Sequence, residues 1–368
     1  MSKLDNYLNK EEQQLMNSTS KTKVVPLSSS SPSSTSLKSA LALDGSNRKL
    51  SFQFTGEGSG MFKVILLNIL FTILTLGIYY PWAKANFRRY KFSHIALDGI
   101  PMQYHGTGKE MLKGFLLLVA IFIGIQTLSV LVETSIAYSA VFRILLLVSI
   151  GLIYLAIPFV IHSSNRYHFS RLSWRNIRFG YDGNLKEFTK LCYKGFFLTV
   201  CTLGIYSAWF HVDVLRYLYG HRKYGNLTFN FEGKGNDYFV INLKGYLLSL
   251  VTLGIYIPFW MKELITYHIE NLELLDEKGE RVMDFEPQIP TGAYIRLLLS
   301  NYFLLCITLG IATPWIIVRT HRFYISCIKV SSQVDFNTIV QTQEIYKDGT
   351  AESLADGLDT GFDLDLGL

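Results

Sequence analysis

A short stretch of the sequence recurs along the chain, and this recurrence constrains the fold more than any other feature. Residues 75–82 read Thr-Leu-Gly-Ile-Tyr-Tyr-Pro-Trp, and close variants begin at residues 202, 252 and 308. Eight residues after the proline position, three copies place an Arg followed by Tyr or Phe, at Arg89, Arg216 and Arg322. A fainter fifth copy keeps the proline and Arg166 but lacks the Thr-Leu-Gly. Repetition this regular predicts an architecture built from internal repeats.

Glycine and proline within the repeated stretch predict a break between two helices. Gly77 suits the position after a helix end because glycine accepts the left-handed conformation, and Pro81 suits the first residue of the next helix. A single kinked helix is the alternative, since membrane helices tolerate both residues. The predicted break residues are Gly77, Pro81, Gly204, Gly254, Pro258, Gly310 and Pro314.

The composition is that of a membrane protein. Hydrophobic residues make up 49% of the 368 residues and charged residues 17%, against about 25% charge in typical soluble domains. Six runs without Asp, Glu, Lys or Arg approach the roughly 20 residues of a spanning helix. These runs are 64–83, 114–132, 144–165, 195–212, 245–261 and 297–318. We therefore predict a mainly α, polytopic integral membrane protein with repeated broken helices or helical hairpins and short β-hairpins at the membrane surface.

Two topologies fit these runs, and the distribution of basic residues favours one of them. If all six runs cross the membrane, Lys and Arg divide almost equally between the two sides. If the four runs with Thr-Leu-Gly re-enter and only 114–132 and 144–165 cross, 34 of the 35 basic residues lie on one side and Arg143 alone on the other. The positive-inside tendency favours the second topology and places both tails in the cytoplasm.

The chain divides into a membrane domain and two polar tails. Residues 1–50 form a Ser-rich tail and residues 347–368 an acidic, Gly-rich tail, and both compositions predict disorder. Between them, residues 51–346 form the membrane domain of internal repeats. Short alternating segments there, such as 95–99 with 102–104, or 227–231, predict strands joined by tight turns at Asp-Gly or Gly-Asn. We expect these strands to pair into a small sheet, because isolated hairpins are only marginally stable.

Aromatic and basic residues flank each break and predict contact with lipid. Tryptophan suits the membrane interface, and long basic side chains reach headgroup phosphates. A shared anion or headgroup site built from the Arg-Tyr pairs is the alternative. The net charge of +6 is spread along apolar runs, so the predicted partner is anionic lipid and not nucleic acid. The candidate contacts are Arg89, Tyr90, Arg166, Arg216, Tyr217, Arg322, Trp82, Trp209, Trp260 and Trp315.

We find no sequence pattern that indicates catalysis. No phosphate-binding loop, Rossmann fingerprint, nucleophile elbow or metal-ligand spacing is present, so we expect no catalytic, cofactor-binding or metal-binding residues and no enzymatic activity. The four cysteines show no C-x-x-C spacing and suit small apolar fillers. The polar residues in or beside the uncharged runs that a transport path would use are Asn68, Gln126, Thr127, Asn242 and Asn301.

The repeated motifs resemble those of the bacterial YjgN-like inner-membrane family, a domain of unknown function. The resemblance covers about residues 51–346 and rests on the Thr-Leu-Gly-Ile-Tyr-Tyr-Pro-Trp stretch, Arg89-Tyr90 and the Gly-x-Gly pairs at 56–58 and 106–108. It implies an inner-membrane location and nothing about a substrate. This chain departs from the pattern at Ala208 and Thr266, which argues against an obligatory catalytic role for those positions. We favour a structural or lipid-interacting membrane protein, with a small-solute transporter or channel as the alternative. The oligomeric state stays open.

Overall fold

The computed structural model describes residues 48–112 and 139–334, together with residues 115, 116, 119, 123, 124, 127, 336, 339 and 341. The strands are β1 (Arg48–Phe54), β2 (Ile95–Leu97), β3 (Ile100–Pro101), β4 (Gln103–Tyr104), β5 (Leu172–Trp174), β6 (Ile177–Tyr181), β7 (Arg222–Tyr224), β8 (Leu227–Phe231), β9 (Leu272–Leu275), β10 (Arg281–Pro287) and β11 (Ile328–Ser332). The helices are α1 (Gly58–Leu74), α2 (Tyr80–Ser93), α3 (Ser139–Ser170), α4 (Leu185–Cys201), α5 (Ser207–Gly220), α6 (Gly235–Val251), α7 (Ile257–Glu270), α8 (Thr291–Ile307) and α9 (Thr313–Ser326). The first three residues of β1, 48–50, belong to the predicted N-terminal tail. The rest of both predicted tails lies outside the described residues.

All eleven strands belong to one antiparallel sheet. The strand order is β3-β2-β1-β11-β10-β9-β8-β7-β6-β5-β4, so consecutive strands are mostly neighbours. The exception is the pairing of β1 with β11, in which Arg48 lies opposite Ser332. The two edge strands, β3 and β4, are separated in the sequence only by Met102. The sheet therefore brings the start and the end of the described chain together.

Tight turns and alternating side chains account for the strands. Asp98 and Gly99 join β2 to β3 with φ values of 54° and 76°, the positive values that a type I′ hairpin turn requires. In β1, Leu50, Phe52 and Phe54 are buried while the residues between them are exposed, as the two-residue period of a strand dictates. The predicted strands in 95–99 and 227–231 are confirmed as β2 and β8, and they pair within this larger sheet. Segment 102–104 contains β4, but β4 pairs with β5 and not with β2.

Within the described residues, four helix pairs connect strands of the sheet. The pairs are α1–α2, α4–α5, α6–α7 and α8–α9, and each has a first helix of 17 residues and a second of 14. Five residues join the two helices of a pair, and we call these segments the tips: 75–79, 202–206, 252–256 and 308–312. Each pair begins just after one strand and ends just before another, so the tip is the end of the pair away from the sheet. In contrast, α3 is one 32-residue helix that contains Pro158.

The prediction of a mainly α, polytopic membrane protein is wrong. An eleven-stranded antiparallel sheet organises the chain, and none of the helices within the described residues is both long and apolar enough to cross a membrane. The error has a physical cause: an uncharged run is defined by its composition, which does not show whether the chain continues straight or reverses direction. Runs 64–83, 195–212, 245–261 and 297–318 each contain parts of two helices and the tip between them. Run 144–165 lies within α3, and most of run 114–132 lies outside the described residues.

Candidate membrane-contacting surface

Each tip begins with a defined helix C-terminal motif, seen most simply in the first pair. The backbone N–H of Gly77 donates to the Thr72 carbonyl at 2.7 Å, and that of Leu76 donates to the Ile73 carbonyl at 3.1 Å. These two bonds are those of a Schellman motif, in which the residue after the helix cap adopts the left-handed conformation. Leu76, with φ of 50°, occupies that position, and Gly77 follows it with φ of 93°. The left-handed residue of the motif is thus the leucine, one position before the glycine that the sequence singles out.

The threonine of the repeated stretch joins the two helices of a pair. Thr75 Oγ1 donates to the Phe71 carbonyl at 2.7 Å and accepts from the backbone N–H of Tyr79 at 3.0 Å. It thereby satisfies a donor at the start of the second helix, where backbone N–H groups lack partners within the helix. The equivalent bonds run from Tyr206 to Thr202, from Tyr256 to Thr252 and from Ala312 to Thr308.

The leucines at the left-handed position are almost fully exposed. A left-handed conformation costs a residue with a Cβ roughly 1–2 kcal/mol, and glycine or asparagine is the usual choice there. The leucine side chain regains nothing from the protein, because it makes so little contact with it. Leucine recurs four times at this position despite the conformational cost and without side-chain contacts to the protein. This recurrence indicates that the leucines contact something outside the chain. The exposed fractions are 94% for Leu76, 95% for Leu203, 94% for Leu253 and 91% for Leu309.

The residues around these leucines extend the apolar surface. Exposed contiguous apolar surface is rare on soluble monomers and marks sites of protein or membrane contact. The second residue after each leucine is also apolar and exposed, between 55% for Ile78 and 76% for Ile255. Further exposed side chains lie on the last turn of the first helices: Ile73, Leu74, Val200, Leu250, Val251 and Ile307.

Charged residues set a boundary on this apolar surface. In the first helices, the last charged residues are Lys63, Lys194, Lys244 and Arg296, which leaves 7 to 11 uncharged residues before each tip. At about 1.5 Å per residue these segments are about 10 to 16 Å long. The hydrocarbon core of a bilayer is about 30 Å thick, so one leaflet is about 15 Å. The uncharged ends of the first helices therefore extend over about two thirds to all of the thickness of one leaflet.

The tyrosines of two predicted Arg-Tyr pairs connect the two ends of their helix pairs at the base. Tyr90 Oη donates to the Glu57 carbonyl at 2.8 Å and accepts from the Glu57 N–H at 3.1 Å. Tyr217 makes the same two bonds with Asn184, both at 2.8 Å. Each tyrosine thus ties the end of a second helix to the residue just before the first helix of the same pair.

The arginines bond to glycine carbonyls outside their own helix pairs instead. Arg89 Nη2 donates to the Gly106 carbonyl at 3.5 Å, Arg216 to Gly233 at 2.9 Å, and Arg322 to Gly56 at 2.8 Å. The first two contacts reach forward 17 residues. The last contact joins α9 to the loop before α1, 266 residues away, so the last helix pair closes on the first.

Three of the predicted tryptophans lie at the same junctions. A Cβ on Gly58 would lie 2.1 Å from the ring of Trp315, and one on Gly235 would lie 2.3 Å from that of Trp209. Trp82 covers Gly108 in the same way. The second glycine of each of these Gly-x-Gly pairs therefore leaves space for the tryptophan of a helix pair elsewhere in the chain. Trp260 differs, because it packs against Gly245 of its own pair.

The structure therefore distributes the predicted lipid or anion contacts over separate junctions and does not gather them into one site. The predicted arginines other than Arg166 and three of the tryptophans make contacts between helix pairs and neighbouring loops, and half-buried Arg166 lies on α3, which carries none of the other predicted contacts. The tip leucines were missed by sequence reasoning, although a leucine directly before each break glycine was the available signal. Within the described residues, no three His, Cys, Asp or Glu side chains are placed to hold a metal ion.

Comparisons with known proteins indicate a bacterial inner-membrane family. A family model described as "Bacterial protein of unknown function (DUF898)" matches residues 49–227, 226–280 and 264–357. A Salmonella typhimurium protein named "Inner membrane protein YjgN" is 29% identical over 141 residues, which cover 38% of this chain and 33% of that protein. The Escherichia coli K12 protein of the same name is 36% identical over 75 residues, covering 20% of this chain and 19% of its own. The matches thus span a third or less of these relatives, and no solved structure matches the chain.

Proposed function

This chain belongs to the DUF898 family of bacterial proteins, and from that premise we propose that it is an inner-membrane protein whose helix-pair tips insert into one leaflet. Its role in this proposal is structural or lipid-interacting, and it is not an enzyme. The inner membrane is the location that the names of its relatives support.

One observation carries the proposal: four leucines in left-handed conformations are each more than 90% exposed at the far end of a helix pair. Transfer of a leucine side chain from water into an apolar phase contributes about 1.5–3 kcal/mol. Insertion in a leaflet therefore offsets the conformational cost of each leucine and gives it the contact that the protein does not provide.

Basic residues that lie closer to the sheet than the tips form the second part of the proposed membrane contact. Lys186, Lys190 and Lys194 recur every four residues and so lie on one face of α4, toward the base of the helix. A basic side chain near an anionic membrane surface contributes about 1 kcal/mol. We propose that these lysines, together with Lys63 and Lys84, contact anionic headgroups while the tips lie among the acyl chains.

We place the sheet and both tails on the cytoplasmic side in this proposal. Each helix pair starts and ends at the sheet, so insertion of the tips leaves the sheet and the charged bases of the helices on one face. Basic residues accumulate on the cytoplasmic side of inner-membrane proteins. We also propose that each helix pair and its adjacent strands are copies of one repeated unit, because the same threonine, tyrosine and arginine bonds recur.

The transporter alternative receives less support from the described residues. Asn68 Nδ2 donates to the Ala83 carbonyl at 3.1 Å, and Asn301 Nδ2 donates to Thr320 Oγ1 at 3.1 Å. Each of these bonds joins the two helices of one pair. The asparagines therefore have a structural use that requires no solute path.

Vesicle flotation tests the proposal directly. The Leu→Asn change at all four tip leucines keeps the left-handed conformation accessible, since asparagine tolerates it, but removes the apolar side chains. We expect the wild-type protein to float with vesicles of phosphatidylethanolamine and phosphatidylglycerol in high salt, and the Asn variant to stay in the dense fraction. A Leu→Met variant at the same four positions is the matched control and should float like the wild type. Equal flotation of the folded Asn variant would contradict the proposed insertion.

A further inference from the structure

A long apolar cavity lies between the sheet and the helices. Its volume is about 730 Å³, within the range of about 300–1,000 Å³ typical of small-molecule sites. At the sheet end, its wall includes Phe52, Trp174 and Phe285, which are buried aromatic side chains of three strands. Most of the other described residues that line it are aliphatic or aromatic as well. The cavity is therefore suited to an apolar chain.

A second part of the cavity wall lies at the apolar surface of the helices. Leu155, Ile157 and Phe196 form this mouth, and their side chains are 56%, 41% and 52% exposed. Tyr193 Oη donates to the Leu155 carbonyl at 2.8 Å, so α3 and α4 are joined beside the mouth. Phe196 follows Lys194, the last charged residue of α4, and so belongs to the segment that we place in the leaflet. The mouth therefore faces the acyl chains and admits a ligand from the bilayer.

The charged side chain of the cavity wall is held by the protein. Arg222 is the one charged residue among the described residues that line the cavity. Its Nη2 donates to Asn165 Oδ1 at 2.5 Å, and its guanidinium carbon lies 4.1 Å from the ring centre of Phe169 and 4.2 Å from that of Tyr219. A guanidinium with such partners does not require an anionic ligand, and an ionised group without a partner is costly to bury. The wall therefore favours an uncharged ligand.

Two histidines of the wall form a pair of one donor and one acceptor. His211 of α5 and His268 of α7 both line the cavity. His268 Nδ1 lies 2.7 Å from the Leu264 carbonyl, so this nitrogen carries the proton and His268 Nε2 is an acceptor. His211 Nε2 lies 3.4 Å from His268 Nε2 and is therefore the donor of the pair. The two neutral side chains thus present a donor and an acceptor side by side.

An oxygen atom can bridge the two nitrogens. Hydrogen bonds donated by N–H groups usually measure about 2.7–3.2 Å, so the contact of 3.4 Å between the histidines is a long one. An oxygen atom about 2.9 Å from both nitrogens completes a triangle with them. A hydroxyl group accepts the proton of His211 and donates its own to His268, whereas an ether or carbonyl oxygen can only accept. The pair therefore matches a hydroxyl group.

We propose that this cavity binds a single-chain lipid alcohol, with the hydroxyl group bridging His211 and His268 and the apolar chain against the aromatic wall at the sheet. The partners of the arginine, the aromatic lining and the histidine pair each support this ligand class. The inference rests on the proposed membrane insertion for the route of the ligand, but the binding itself requires only the cavity.

Fluorescence quenching of Trp174 tests the position of the chain, since this is the tryptophan among the described residues that line the cavity. The full-length protein in a nonionic detergent is titrated with octadecanol brominated at mid-chain, because bromine quenches tryptophan on contact. We expect saturable quenching in the wild type and loss of the saturable component in folded Trp174→Phe, which keeps an aromatic ring in place. Trp174→Tyr is measured if the Phe variant does not fold. Quenching that does not saturate, or that is unchanged in the variant, would overturn the proposal.

A comparison of the alcohol with its methyl ether tests the position of the hydroxyl group. The ether keeps the oxygen but cannot donate, so the alcohol should bind about fivefold more tightly, which corresponds to about 1 kcal/mol for the lost hydrogen bond. His268→Phe removes the acceptor and should abolish this preference, and His268→Leu is measured if the Phe variant does not fold. Equal affinity of alcohol and ether in the wild type, or an unchanged preference in the variant, would overturn the assignment of the hydroxyl group.

Two controls separate recognition of the hydroxyl group from general effects. His221→Phe removes a histidine whose Nδ1 also lies 2.7 Å from a backbone carbonyl, that of Tyr217, but which is not among the residues that line the cavity. This variant should keep the preference for the alcohol. Brominated stearic acid at about pH 9 carries a charge on the same chain and should bind at least about tenfold more weakly than the alcohol, because the carboxylate loses its hydration. Equal or tighter binding of the acid would contradict the proposed ligand class.

Two further measurements identify the natural ligand and separate this inference from the proposed insertion. Mass spectrometry of lipids extracted from protein purified from its membrane should detect a single-chain alcohol, and its absence from the extract would contradict the proposal. The tip Leu→Asn variant should retain the quenching in detergent, so failure of flotation and failure of ligand binding are distinguishable.

Discussion

At the scale of single residues, each tip leucine lowers the stability of the folded chain, and in the proposed function it supplies contact with lipid. Leu203 has φ of 51° and a side chain that is 95% exposed, and Gly204 follows with φ of 93°. A glycine at 203 would remove the conformational cost and an asparagine would reduce it. The leucine is therefore the residue that folding alone would not select.

Replacing this leucine by glycine should stabilise the protein in detergent. Leu203→Gly removes a left-handed penalty of about 1–2 kcal/mol, partly offset by the greater freedom of glycine in the unfolded chain. We expect an increase of up to about 1 kcal/mol in the free energy of unfolding, measured by chemical denaturation. Val200→Gly is the matched control, because Val200 is also exposed but lies within α4, and glycine there should cost about 0.5–1 kcal/mol. A loss of stability in Leu203→Gly comparable to that in Val200→Gly would contradict this view of the tip.

The break itself was predictable from the sequence, but the role of the leucine was not. Gly77 and Pro81 predicted the end of one helix and the start of another through their backbone preferences, which are local. The left-handed residue is Leu76, which local preferences disfavour. Local rules do not select leucine there, and in the proposed function its side chain contacts lipid outside the chain.

At the scale of elements, contacts among glycine, tryptophan and arginine hold one helix pair against the next. Gly58 begins α1 and lies under Trp315 of α9, while Arg322, about two turns further along the same face of α9, donates to the Gly56 carbonyl. The sequence displayed the Gly-x-Gly pairs, but it did not indicate their use. The tryptophan that covers Gly58 is 257 residues away, beyond the reach of any local pattern.

Adding a methyl group at this junction should destabilise the fold. Gly58→Ala places its Cβ 2.1 Å from the Trp315 ring, so α9 or the ring must move. Overpacking of this kind costs about 1–3 kcal/mol. Gly292, the second residue of α8, is the matched control, because a Cβ there meets nothing within 4 Å and alanine should be neutral or stabilising. Thermal unfolding in detergent measures both, and equal midpoints would contradict the proposed packing.

The contact between α5 and α7 should make stability depend on pH. Burial, and next the neighbouring His268, lowers the pKa of His211 to about 4, from 6.5 in the unfolded chain. The unfolded state therefore binds more protons between pH 6.5 and 4, and stability should fall as pH falls through that window and level off below it. Burial lowers the pKa of His268 as well, so His211→Phe should reduce this slope without abolishing it. Denaturation midpoints at a series of pH values measure the slope, and an unchanged slope in the variant would contradict the assignment.

At the scale of the whole molecule, the chain closes on itself twice. β1 pairs with β11, and the last helix pair bonds the loop before the first through Arg322 and Gly56. Short strands such as 95–97 were predictable from alternation and turn residues. Their union in one eleven-stranded sheet was not, because the decisive pairing joins residues at opposite ends of the described chain.

The same scale explains why hydropathy misled the prediction of the fold class. An uncharged run of about 20 residues has the composition of a spanning helix whether it continues straight or folds back. Here the fold-back occurs in the middle of four such runs, at the tips. The useful signals were the break residues, which favoured helical hairpins over straight helices, whereas the topology that the basic residues favour stays a prediction.

The central claim, that the tips enter one leaflet, is tested most directly by measuring the depth of a spin label. The label is attached to Leu203→Cys or to Lys190→Cys, each in a variant whose four cysteines are replaced by alanine, in vesicles of phosphatidylethanolamine and phosphatidylglycerol. We predict that the label at 203 collides readily with oxygen and is shielded from a water-soluble nickel complex, whereas the label at 190 is accessible to the nickel complex. A label at 203 that the nickel complex reaches as easily as the label at 190 would contradict the account.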